Sequence, residues 1–188
     1  MAYLSTSDPN LWPPSGGSGG GAPGLIHIET QDAGGSAFTP AKTTISAGYR
    51  QIRVLISGTS NGSGGGVSLF LGTSGGAIDT TGGNYLSTNM QGLPNHNYWS
   101  DAQNTARTLT NLYFSTAHSG FTQIDLLTPS TSGVTYAATR TYSKGSGNGY
   151  TIVLHGYYSI SGVVTSLQVV LEAAAGSLVG EVSVWGLK

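Results

Sequence analysis

Two stretches match the Gly-x-Ser-x-Gly pattern of a nucleophile elbow: Gly16-Gly17-Ser18-Gly19-Gly20 and Gly72-Thr73-Ser74-Gly75-Gly76. An elbow works because a strand delivers the serine and a helix follows, leaving the hydroxyl exposed beside an oxyanion hole. The first match sits in a glycine-serine run, and the second leads into more glycine with no helical pattern behind it. Neither context positions a nucleophile. The glycine pattern at Gly145, Gly147 and Gly149 also lacks a following helix N-terminus to hold a phosphate, and reads as turns.

The four histidines, His27, His96, His118 and His155, have no metal-motif spacing, and there is no cysteine to supply a thiolate. No metal or cofactor is expected. Asp79, Asp101 and Asp125 lie in or beside stretches that read as loops. Two such carboxylates could act as acid and base in glycoside hydrolysis, but nothing in the sequence brings any two together. Loop solubility and turn capping are their ordinary work. The chain reads as a non-enzyme.

One loop has the texture of a binding site: Asn95-His96-Asn97-Tyr98-Trp99-Ser100-Asp101. Tyr98 and Trp99 offer flat apolar faces and Asp101 a carboxylate, the combination that holds a sugar ring. The simpler assignment is a Tyr-Trp pair plugging one end of the domain, and both readings stand. Trp185 reads as a core or subunit-contact residue.

The elements that would position these residues are β-strands. Alternating apolar residues mark LIHIET (25–30), with Ile26 and Ile28 on one face, and TTIS (43–46). In YRQIRVLIS (49–57) the shared face holds Ile52, Val54 and Ile56, and in GVSLFLG (66–72) it holds Val67, Leu69 and Leu71. Between them Asn61-Gly62 is a strong hairpin cue. Residues 75–87 read as a loop leading into a short strand, and 90–104 as the longest loop. Further strands are expected at 107–115, 120–128, 133–142, 150–158, 163–173 and 179–188, the penultimate one with Val163, Thr165, Leu167, Val169 and Leu171 on one face. About ten short strands without an amphipathic helix exclude parallel crossover architectures. The expected fold is all-β: an antiparallel β-sandwich of jelly-roll type over residues 25–188, with an extended N-terminal arm over residues 1–24.

In that arm Tyr3, Leu4, Leu11 and Trp12 are apolar anchors, and Pro13-Pro14 stiffens the chain before the tether SGGSGGGAPG (15–24). Ten such residues have an r.m.s. reach of roughly 17 Å. The arm reads either as a solvated tail or as a docking peptide; Leu11-Trp12 is what a purely solvated tail would not need.

Composition narrows the partners. Charged residues make up 8% of the chain, against about 25% in an average domain, and the net charge is −1. That leaves no basic footprint for nucleic acid and no basic amphipathic stretch for an anionic membrane. The opening MAYLSTSDPN has no signal-peptide pattern, so synthesis and retention in the cytoplasm are expected.

The C-terminal stretch 156–188, GYYSISGVVTSLQVVLEAAAGSLVGEVSVWGLK, resembles the closing strands of jelly-roll domains in bacteriophage virion proteins. There a V-x-S-L-x-V strand precedes a small-residue turn and a final strand of the kind Gly180-Glu181-Val182-Ser183-Val184-Trp185-Gly186-Leu187. Upstream, YRQIRVLIS followed by VSLFLGTSGGAIDTTGGNYLS resembles the opening strands of the same family, so the resemblance spans residues 48–188. It implies a non-enzymatic, homotrimeric jelly roll on a tail fibre, tail tip or capsid surface, and no functional residue set carries over.

The short arm in place of a fibre shaft favours a capsid decoration or cement protein, made in the bacterial host cytoplasm and resident in the virion. It would dock on the major capsid protein or other virion subunits through Tyr3, Leu4, Leu11 and Trp12. The alternative is a tail-fibre or tail-tip protein that binds a host surface glycan at Tyr98, Trp99 and Asp101.

Overall fold

The structure is a computed structural model that describes residues 24–46, 48–62, 65–73, 76–81, 84–93, 96–98, 113–114, 119–130, 133–143, 149–159, 162–171 and 176–188. Twelve strands run in chain order: β1 (Leu25–Asp32), β2 (Lys42–Thr44), β3 (Gln51–Ser60), β4 (Gly65–Gly72), β5 (Tyr85–Leu93), β6 (His96–Tyr98), β7 (Tyr113–Phe114), β8 (Gly120–Ser130), β9 (Gly133–Ser143), β10 (Gly149–Tyr158), β11 (Ser166–Leu171) and β12 (Leu178–Leu187). There is no helix among the described residues.

The strands form an eight-stranded sheet, β1-β12-β3-β8-β9-β10-β5-β6, and a four-stranded sheet, β2-β11-β4-β7. Every pairing is antiparallel. The first four strands alternate between the sheets. Their partners follow in reverse order: β1 with β12, β2 with β11, β3 with β8 and β4 with β7.

Period-two alternation turns one row of side chains on each strand into a common core. Ile52, Val54 and Ile56 from β3 and Ile124 and Leu126 from β8 meet Val67, Leu69 and Leu71 from β4 and Leu167 and Val169 from β11 in one buried cluster. Residues of both sheets thus lose their apolar surface to the same interior, at roughly 25 cal/mol per Å² removed from water. Gln31 ties the sheets at their edge, donating from Nε2 to Ala41 O (3.2 Å) and Thr43 Oγ1 (3.1 Å) and accepting from Ala41 N at 2.7 Å.

Several local expectations change. Asn61-Gly62 does not close a hairpin, because β3 and β4 lie in different sheets. Instead Asn61 N donates to Ser177 O (3.0 Å) and Asn61 Oδ1 accepts from Ser177 N (2.7 Å), so the turn is anchored on the approach to β12 as it crosses between sheets. Ile26 and Ile28 are not buried alike. Ile26 is exposed while Ile28 packs on the core, and the β1–β12 register shifts between His27 and Glu29. Residues 90–93 and 96–98, expected in a loop, belong to β5 and β6. The penultimate strand begins at Ser166, so Val163 stays outside it and is exposed, whereas Val164 is buried.

Candidate functional site

The densest polar constellation among the described side chains lies on the outer face of the larger sheet. Because Ile52, Val54, Ile124 and Leu126 point inward, the alternate positions Gln51 and Arg53 on β3 and Gln123 and Asp125 on β8 point out. Arg53 and Asp125 are direct register partners, and Trp185 of β12 stands opposite Arg53 on the other side. His27 of β1 pairs with Trp185 in turn, edge-on with ring centroids 4.8 Å apart. One cross-strand row thus reads His27, Trp185, Arg53, Asp125.

The Asp125 carboxylate is fully engaged. Its Oδ1 accepts from Arg53 Nε (2.7 Å) and Gln51 Nε2 (2.9 Å), and its Oδ2 from Gln123 Nε2 (2.7 Å) and Arg53 Nη2 (3.3 Å). Burial raises its pKa, but the Arg53 and Gln123 hydrogen bonds, the Arg53 charge and Gln51 outweigh burial and hold the carboxyl below the ordinary range. An ionised carboxylate has about four acceptor positions, and all are used. Asp125 is therefore a fixed anion that clamps two strands, with no free lone pair to take a proton. It lies inside β8, in the stretch 120–128 expected as a strand.

Asp79 is held in a second cluster, in the connection from β4 to β5. Oδ1 accepts from Thr81 N (2.9 Å), and Oδ2 from Asn84 Nδ2 (2.8 Å) and Tyr158 Oη (3.2 Å). Burial raises its pKa, and the bonds from Thr81, Asn84 and Tyr158 more than reverse that, leaving it lowered. Burial pushes the Tyr85 phenol up to about 12 and, with the charges of Tyr85 and Asp79, pushes Tyr158 up as well. Both carboxylates are arranged as permanent acceptors, and both phenols as permanent donors.

Of the residues singled out from sequence, Tyr3, Leu4, Leu11, Trp12, Trp99 and Asp101 lie outside the described residues, and Tyr98 is described as the last residue of β6. Trp185 sits on the outer face, outside the core cluster, and its buried Nε1 has no hydrogen-bond partner. His27 bonds Thr30 Oγ1 at 2.8 Å. No group of three or more His, Cys, Asp or Glu side chains is placed to hold a metal among the described residues. In the second Gly-x-Ser-x-Gly match, Gly72 ends β4 and Ser74 lies outside the described residues.

The Arg53–Asp125 clamp was missed at the level of sequence. Its signal was there: polar residues at alternate positions, Gln51 and Arg53 in one strand and Gln123 and Asp125 in another. Only the register between strands 72 residues apart makes them one site.

No protein-family model matches this chain, no curated protein matches it, and no solved structure matches it.

Proposed function

We propose that this chain is a non-enzymatic jelly-roll subunit of a bacteriophage particle, a capsid decoration or cement protein that docks through its N-terminal arm. The observation that carries the reading is the nested strand order. The pairs β1·β12, β2·β11, β3·β8 and β4·β7, with β12·β3 and β11·β4 joining them, are what an antiparallel ribbon gives when it is rolled so that successive pairs fall in opposite sheets. Strands β9, β10, β5 and β6 extend that roll on the side of β8.

The resemblance to phage jelly-roll domains in residues 48–188 covers β3 to β12, including both central strands of the roll's C-terminal half. The low charge suits a surface that packs against neighbouring subunits, and the hydrogen-bonded carboxylates of Asp79 and Asp125 support a structural rather than a catalytic role. The assembly is taken to be a homotrimer.

Counting copies per purified particle by mass spectrometry tests the assignment. Hundreds of copies are expected; a handful would move the protein to the tail, and none would remove it from the virion. Removing residues 1–24 should leave a folded domain that no longer joins the particle. Light scattering at dilute concentration reads the trimer, and a strict monomer counts against it.

A further inference from the structure

We infer that the outer face of the larger sheet is the surface through which copies of this chain meet. The inference rests on the proposed self-association and names the face that carries it.

Core packing defines the face. Thr122, Ile124 and Leu126 of β8 are buried, so Phe121, Gln123, Asp125 and Leu127 point the other way. By the same alternation Tyr157 faces outward beside buried Tyr158, and Trp185 beside buried Val184. Register sets these residues in rows. Leu187, Gln51, Leu127, Thr135 and Tyr157 form one row, and Trp185, Arg53 and Asp125 lie in the next on the same face. Phe121 stands towards the other end of β8, opposite Ser57. Phe121, Leu127 and Tyr157 are 42%, 46% and 38% exposed. Of the other large apolar residues that are exposed among the described ones, Ile26 aligns through Gly186 with core-facing Ile52, and Val163 precedes β11. Exposed apolar side chains gathered on one sheet face mark an interaction surface.

Composition, charge and area point to a second copy as the occupant. Protein interfaces are enriched in aromatic residues and arginine and depleted in lysine. This face presents Phe121, Tyr157, Trp185 and Arg53, while among the described residues Lys42 belongs to the smaller sheet and Lys188 follows the end of β12. A face that meets its own copy must not carry net charge at its centre, because like charges would then be set against each other. Here Asp125 neutralises Arg53 within the chain, at 2.7 Å. Asp32 and Glu181 pair at a corner, where β1 forms the sheet edge, and an interface rim stays in water. The strands β1-β12-β3-β8-β9-β10-β5 at ~4.8 Å spacing, over the rows from Gln51 to Gly58 at ~3.4 Å each, make a face of roughly 900 Å². A standard-size interface buries about 800 Å² per partner.

Sedimentation equilibrium of the full-length chain tests it. The Phe121→Lys, Leu127→Lys variant should raise the concentration at which the assembly half-dissociates on the order of a hundredfold, the loss that goes with two buried apolar side chains. Both changes lie off the core, and a urea midpoint reads whether the variant is folded. Phe121→Thr, Leu127→Thr keeps β-branched residues in the strand and should shift association in the same direction. Ile26→Lys, Val163→Lys removes exposed apolar surface elsewhere and should leave association as in the wild type. Face variants that associate like the wild type overturn the inference and leave the trimer standing. A dimer that the face variants break upholds the inference and replaces the trimer. A wild-type chain that is monomeric at every concentration overturns both. Face variants that keep their assembly yet lose the particle would assign the face to another virion subunit, and so overturn the inference as well.

Discussion

The rings of Tyr85 and Tyr158 stack with centroids 4.7 Å apart and planes 24° from parallel, and both side chains are wholly buried. Their hydroxyls serve different partners. Among the described residues β7 pairs with β4 only at Gly65 and Gly66, and none of their strands lies beside the outer edge of β4 at Leu71. Tyr85 Oη accepts from Leu71 N (3.0 Å) and donates to Asp79 O (2.6 Å), while Asp79 N donates to Leu71 O (2.9 Å). Tyr158 Oη adds one bond to a carboxylate oxygen that Asn84 already serves. Tyr85→Phe strands a buried N–H and should cost about 2–3 kcal/mol, whereas Tyr158→Phe should cost about 1 kcal/mol. Urea midpoints read the difference. Equal losses would mean that the edge of β4 does not depend on the Tyr85 hydroxyl.

Asp79 and Asp125 set the acid limit of the fold. Both carboxyls are held below their ordinary value by hydrogen bonds, and for Asp125 also by the Arg53 charge. A carboxyl whose folded pKa is lowered adds stability that is fully present above its unfolded value of about 3.9 and fades as pH falls through the folded value. Wild-type stability should therefore turn down below about pH 4. The Asp79→Asn, Asp125→Asn double variant should be less stable near pH 7 and flatter below pH 4. Chemical denaturation across that range checks both, and parallel curves for the two proteins would refute the assignment.

Much of the core was legible in the sequence because alternation reports one face of one strand. Ile52, Val54 and Ile56 and then Val67, Leu69 and Leu71 are read correctly on that basis, and all are at most 4% exposed. What alternation does not report is the partner. Asn61-Gly62 has hairpin chemistry, yet the next strand belongs to the other sheet and the turn bonds to Ser177 instead. Arg53 and Asp125 likewise look like two isolated surface charges until the β3–β8 register sets them side by side. A bulge hides from pattern as well: the β1–β12 register shifts between His27 and Glu29 with no signal in the residue types.

Gly58 and Gly180 face each other across the β3–β12 pair, both with left-handed φ, 132° and 157°. A Cβ on Gly58 would run into the Val179 carbonyl and stand 2.8 Å from the Gly180 Cα. Backbone cannot move aside as a flexible side chain does, so Gly58→Ala should cost roughly 3 kcal/mol or more. Gly34 also has positive φ, 62°, but a Cβ there meets nothing within 4 Å. Gly34→Ala should therefore cost only about 1 kcal/mol, the strain of the conformation alone. Thermal or urea unfolding of the two variants separates crowding from strain, and comparable losses would remove the close approach as the cause.

Thr122 carries a polar atom in an apolar place. It sits on the inward row of β8 with Ile124 and Leu126, wholly buried, and its Oγ1 has no hydrogen-bond partner. Folding strips that hydroxyl of water and returns nothing for it, which mutational data place at about 1–3 kcal/mol. Valine has nearly the same shape and the same β-branched preference for a strand, and lacks the hydroxyl. Thr122→Val should therefore raise the stability of the domain by about 1 kcal/mol, seen as a higher urea midpoint at unchanged slope. Thr122→Ser is the counterpart, since it keeps the unpaired hydroxyl and loses a buried methyl; it should lower the midpoint by a similar amount. If valine destabilised the fold instead, Thr122 Oγ1 would have to be hydrogen-bonded in the folded protein.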